Sequence, residues 1–124
     1  QTLVVTTPQI TAANVAGRVG KMAEKMDAEV LGVVENMSYY VCSECGNKDY
    51  IFGQGGGEKL AEHLETNFLG KLPLITEVRE AGDNGELVAN SEMIGEEFEN
   101  IADNVMDLIP EFDPSKEQMF LENE

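Results

Sequence analysis

A chain of 124 residues, 42% of them hydrophobic, is long enough for the core of one domain with little to spare. Its 24 acidic against 8 basic residues leave a formal charge of −16, which argues against nucleic acid or an anionic membrane as partner, because phosphate binding needs a basic footprint. No apolar run approaches the ~20 residues of a membrane span, and no basic segment followed by an apolar stretch opens the sequence, so a cytoplasmic protein is expected.

The acidity itself has two readings. One is a solvated acidic surface. The other is a high-salt cytoplasm, where the Debye length falls to ~3 Å and self-repulsion ceases to matter.

In chain order, Leu3-Val4-Val5-Thr6 is a β-branched run without polar alternation, as expected of a strand buried on both faces of a parallel sheet. A parallel strand so near residue 1 has lost a neighbour, so the chain is expected to be the C-terminal part of a larger protein. Thr7-Pro8 supplies an N-cap and a proline at the first helical position. Ala12, Val15, Ala16, Val19, Met22, Ala23 and Met26 then recur at steps of three and four, the stripe of an amphipathic helix. Gly17 and Gly20 weaken that helix by up to ~1 kcal/mol each, so close packing against them is expected.

Residues 29–34 form a second strand, which makes a βαβ unit. Ligands of open α/β sheets gather at the carboxyl ends of the strands, where Asn36 stands. An Asn there can read the edge of a base with its amide or can satisfy its own turn, and both readings are open.

Both cysteines follow in Tyr39-Tyr40-Val41-Cys42-Ser43-Glu44-Cys45-Gly46. Two residues between the thiols let one turn aim both sulfurs at a point, and Gly46 can take the positive φ that turns the chain beneath them. Two thiolates are half a site, since structural zinc and cubane iron–sulfur clusters take about four protein ligands. The sequence has no second pair, and its one histidine, His63, lies in a segment that reads as helix. The same turn from a second copy across a two-fold axis is the simplest completion.

Residues 39–41 and 49–52 are expected to pair as a hairpin with the cysteines near its tip. Gly53-Gln54-Gly55-Gly56-Gly57-Glu58-Lys59 lacks the Gly-Lys-Ser/Thr end of a P-loop and more simply opens the helix carrying Leu60, Ala61 and Leu64. Residues 67–74 read as a third strand ended by proline, 77–81 as a brief helical turn, and 82–85 as a loop. From a cap at Asn90 or Ser91, the residues Ile94, Phe98, Ile101, Ala102, Val105, Leu108 and Ile109 mark the apolar face of a packing helix that Pro110 stops. The domain is assigned to 1–110, and 111–124 to an acidic, aperiodic tail.

Six motifs stand in register between residue 4 and about residue 88: Val-Thr-Thr-Pro-Gln at 5–9, Gly-Val-Val-Glu-Asn-Met-Ser-Tyr at 32–39, Cys-x-x-Cys-Gly at 42–46, Ile-Phe-Gly-x-Gly-Gly-Gly at 51–57, Phe-Leu-Gly-x-Leu-Pro-Leu at 68–74 and Val-Arg-Glu-Ala-Gly-Asp at 78–83. Together they resemble the Mrp/ApbC family, MinD-like P-loop ATPases that carry iron–sulfur clusters to apo-proteins. The resemblance implies an α/β fold, the C-terminal part of a parallel-sheet P-loop NTPase with a Cys-x-x-Cys excursion.

It further implies that Cys42 and Cys45 are one subunit's half of the ligands of a [4Fe-4S] cluster bridging a homodimer. Asn36 and Pro73 would line the adenine of ATP. Family members continue the Leu-Pro-Leu loop with Asp-Pro, whereas Ile75-Thr76 stands here, so no contact from that Asp is carried over. The family's lysine-bearing glycine loop and magnesium-binding aspartates match nothing in this sequence. ATP and Mg2+ are therefore expected of the intact protein, and no turnover of this stretch alone. A zinc-knuckle interaction module without catalysis, and a structural domain in which Cys42 and Cys45 are free thiols or a reversible disulfide, are the competing readings.

Overall fold

The computed structural model describes residues 1–88, 92 and 94–109. The elements run β1 (Thr2–Thr6), α1 (Ile10–Lys25), β2 (Val30–Glu35), β3 (Tyr40–Val41), β4 (Lys48–Asp49), α2 (Gly56–His63), β5 (Asn67–Lys71), α3 (Thr76–Asn84) and α4 (Gly95–Leu108). The apolar runs without polar alternation become a parallel sheet in the order β1-β2-β5, and β3 and β4 form a separate antiparallel ribbon. This is the mixed α/β class with a parallel sheet that the sequence implies.

Central strand β2 is buried from Leu31 through Glu35 because both faces of the sheet are covered. On one face Val4 and Val33 pack with Leu60 and Ala61 of α2, with Leu64 just past its end, and with Ala13 and Ala16 of α1. On the other, Val34 and Leu69 pack with Leu72, Ile94 and Ile101, so α4 lies across β5 and β2. That placement leaves part of β1 uncovered. Leu3 and Val5 are exposed while Val4 and Thr6 are buried, so β1 is covered on one face and not on both as its composition suggests.

Helix α1 also departs from expectation. Gly17, Gly20 and Ala23 are its buried residues, whereas Val15, Val19, Met22 and, just past its end, Met26 are all more than half exposed. The reason is the closeness of α2: a methyl group at Gly20 would stand 2.5 Å from Leu64 Cδ1, so only a glycine face lets the two helices meet at this separation. Gln9, not Thr7, occupies the N-cap, and no side chain caps the helix.

Helix α3 runs on through Gly82, Asp83 and Asn84, where a loop was expected. Arg79 and Asp83 pair at 3.0 Å across one turn, and Gly85 at φ 71° ends the helix, with the Glu86 N–H donating to the Ala81 carbonyl. Helix α4 presents Ile101, Phe98, Val105 and Leu108 to the core as its periodicity requires, although Ala102 is exposed. The proposed caps Asn90 and Ser91, the stop at Pro110 and the tail 111–124 lie outside the described residues. Among the described residues no helix is long and apolar enough to cross a membrane.

Candidate functional site

The carboxyl ends of the three parallel strands converge on one edge, and the site is built from the segments that leave it. Strand β2 does not stop cleanly at Glu35. The Asn36 N–H donates to the Thr6 carbonyl (2.7 Å), the Leu72 N–H to the Glu35 carbonyl (2.9 Å), the Ser38 N–H to the Leu72 carbonyl (2.9 Å) and the Leu74 N–H to the Tyr39 carbonyl (2.7 Å). Segments 36–40 and 72–74 therefore continue side by side beyond the sheet, closed by a parallel bridge between Tyr40 and Leu74.

Asn36 and Pro73 leave adjacent strands and lie on these two neighbouring segments. Asn36 is half-buried and its Oδ1 accepts the Met37 N–H at 2.9 Å, so the turn-forming role is realised, and Met37 takes a positive φ of 53° beside it. Pro73 is buried.

Segment 36–40, with 72–74 beside it, runs on into the cysteines. Tyr40 pairs with Asp49 and Val41 with Lys48, the Cys42 N–H donates to the Asn47 carbonyl at 3.0 Å, and the Gly46 N–H returns to the Cys42 carbonyl at 2.9 Å. Gly46 at φ 70° makes that turn, as its place after the second cysteine anticipates. Cys42 is half-buried and Cys45 exposed, and neither forms a disulfide. Backbone N–H groups of Cys45 and then Glu44 point at the Cys42 sulfur, and the Cys45 side chain adds to them. Together they hold its thiol below the ordinary value and favour the thiolate, the form that binds metal.

Tyr39 braces the ribbon. Its ring meets Tyr50 at 6.4 Å between centroids, and Lys48 Nζ lies 4.5 Å above it. Burial first, and then the charge of Glu97 on α4, raise its phenol pKa.

Among the described residues no three His, Cys, Asp or Glu side chains converge as a metal site, so Cys42 and Cys45 need ligands from elsewhere to complete one. His63 is in the last turn of α2, on the wall of a groove of about 270 Å³ between α1 and α2 that also includes Arg18, Lys21 and Lys59. None of Asn36, Cys42, Cys45 and Pro73 lines that groove.

Sequence reasoning missed Glu35. It is 1% exposed, and its carboxylate accepts from Ser38 Oγ at 2.7 Å and from the Gly57 N–H at 2.6 Å. The signal was a charged residue ending the otherwise apolar run Val33-Val34-Glu35.

Residues 1–106 match the family model described as ParA, NUBPL iron-transfer P-loop NTPase. Proteins named iron–sulfur cluster carrier protein are 52% identical over 83 residues in Pyrococcus abyssi and 51% identical over 83 residues in Escherichia coli. Each of those matches covers 67% of this chain but only 28% and 22% of the relative, so the chain spans about a quarter of the length of such proteins. A nucleotide-binding protein of Archaeoglobus fulgidus, solved with ADP and with cobalt found in it, superposes at TM-score 0.57 with 36% identity over 67% of this chain and 34% of its own. The cell-division ATPase MinD of Pyrococcus furiosus gives TM-score 0.64 over 86% of this chain and 42% of its own, at 22% identity, a likeness of fold alone. The match to the family model over most of the chain, joined to the parallel sheet and the relatives at about 50% identity, makes this chain a member of the ParA/NUBPL family of iron-transfer P-loop NTPases.

Proposed function

We propose that this protein carries an iron–sulfur cluster, a [4Fe-4S] cargo held between two copies, and hands it to apo iron–sulfur proteins in the cytoplasm. The observation that carries this reading is the turn at 42–46. It brings two thiols within hydrogen-bonding reach of each other in the turn that ends the ribbon, one poised toward thiolate, with no third ligand among the described residues. Half a ligand set on a protruding ribbon suits a self-complementary site, in which each copy gives Cys42 and Cys45. The names of the relatives support the cargo.

In the longer polypeptide, ATP with Mg2+ binds at the carboxyl edge of the sheet, with Asn36 and Pro73 on the adenine side. The ADP found in the Archaeoglobus protein supports a nucleotide as the ligand. Because segment 36–40 leads into the cysteine ribbon and 72–74 runs paired beside it, occupancy of the nucleotide site can bias how firmly the cargo is held.

Anaerobic loading of the full-length protein with iron and sulfide tests the proposal. Expected are broad absorption near 400 nm, roughly two cluster irons per chain, a dimer by light scattering, and loss of all three in Cys42→Ser and Cys45→Ser. A strictly monomeric protein that retains a complete cluster overturns it. Stoichiometric zinc that iron does not displace would instead support a zinc knuckle.

A further inference from the structure

Glu35 is an unusual residue to find at the end of a buried central strand. A carboxylate removed from water is costly unless its oxygens are matched by donors. Both are: Oε1 accepts from Ser38 Oγ at 2.7 Å and Oε2 from the Gly57 N–H at 2.6 Å. The two donors have different places in the chain. Ser38 belongs to the segment that leaves the sheet for the cysteine ribbon, and Gly57 to the first turn of α2, where the chain returns.

The N-cap of α2 is Gly55, with no side chain to satisfy the first-turn N–H groups, and Glu35 supplies the missing acceptor from another strand. The fit is close. A methyl group at Gly57 would stand 2.8 Å from Glu35 Cβ and 3.0 Å from Phe68 Cε2, and one at Gly56 would strike the Pro8 carbonyl. The returning loop is thus wedged between residues of β2 and β5 and the segment just after β1. The next residue, Glu58, is fastened to Lys71 at the end of β5 at 2.9 Å.

We infer that Glu35 is a positioning residue that clasps both roots of the cysteine ribbon and so sets how Cys42 and Cys45 are presented. It touches neither thiol. It closes the loop from Ser38 to Gly57 on itself, so that the ribbon stands from a fixed base instead of pivoting about its outgoing segment and the glycine-rich return at 53–57. For cargo retention the inference rests on the carrier reading, but the order of the ribbon does not.

Hydrogen exchange by mass spectrometry on the full-length, metal-free protein is the direct test, comparing peptides from 38–56 with peptides from 30–35. In Glu35→Ala the ribbon amides, including those of Cys42 and Gly46, exchange at least about tenfold faster, while the β2 amides keep their parental rates. Glu35→Gln, whose Oε1 can accept the Gly57 N–H and whose amide can donate to Ser38 Oγ, stays within about threefold of the parent. Ser38→Ala, which removes one arm only, gives an intermediate acceleration of the same peptides and serves if Glu35→Ala does not fold. Unchanged ribbon exchange in Ser38→Ala and Glu35→Ala, or acceleration spread evenly over the sheet, overturns the clasp.

In protein loaded with iron and sulfide, release of iron to a chelator follows the same order of variants. If the parent takes up no cluster at all, the carrier reading fails while the exchange result still decides the clasp.

Discussion

Replacing Gly70 with alanine should be among the most destabilising single-methyl additions in this domain. In β5 the register with β2 slips: Val33 faces Phe68 but Val34 faces Gly70, so Leu69 is left over in the ladder. Gly70 absorbs the irregularity at φ 154°, a region that a side chain disfavours. A methyl group there would also stand 2.6 Å from Ile101 Cγ1 and 3.2 Å from Cδ1, on a residue packed among Val34, Leu69, Leu72 and Ile94. Backbone strain of about 1–3 kcal/mol and overpacking of about 1–3 kcal/mol then sum to roughly 2–6 kcal/mol against a typical domain stability of about 5–15 kcal/mol.

The two contributions separate in a double-mutant cycle. Ile101→Ala removes both clashing carbons and leaves Cβ at 4.0 Å. Alone it costs about 2–5 kcal/mol, but in the Gly70→Ala background it should cost about 1–3 kcal/mol less, because it relieves the clash. Urea denaturation at unchanged m gives all four values. A Gly70→Ala protein within about 0.5 kcal/mol of its parent, or strict additivity in the cycle, refutes the reasoning.

The donors around Cys42 make its thiol ionise below the ordinary value, so alkylation by iodoacetamide should have its midpoint at lower pH for Cys42 than for a free-cysteine standard; a midpoint at or above the standard contradicts the geometry. The bond from Lys71 to Glu58, reinforced by the charges of Glu58 and Glu35, raises the Lys71 pKa against the opposing effect of burial. Its contribution is therefore full below the ordinary lysine pKa and lost as pH rises through the raised one. With both side chains more than a third exposed, Lys71→Met should cost no more than about 1 kcal/mol at neutral pH. A deficit that persists undiminished in strong alkali would count against the pairing. In the full-length protein Asn36→Ala should weaken ATP binding about tenfold, or about 1.4 kcal/mol, and an unchanged affinity removes Asn36 from the nucleotide site.

Much of the architecture could be read from residue order. Apolar runs without alternation are wanted only where both faces of a sheet are covered, and Val30–Glu35 became the central strand. Two thiols separated by two residues and followed by a glycine can hardly avoid a tight turn, and the Gly46 N–H to Cys42 carbonyl bond is that turn. The spacing of Ile94, Phe98, Ile101 and Val105 likewise determined which side of α4 meets the sheet.

What tertiary structure decided concerns which surfaces find a neighbour. Helix α1 carries one face of bulky apolar residues and one of glycine and alanine, and periodicity cannot say which is covered; the approach of Leu60 and Leu64 selected the small face. Glu35 reads as a strand end or a solvent charge until Gly57, twenty-two residues on, is brought to its oxygen. Local sequence specifies periodicities and turns because those are properties of a few consecutive dihedrals. The worth of a buried carboxylate, or of a missing methyl group, is set by atoms that only the folded chain brings within a few ångströms.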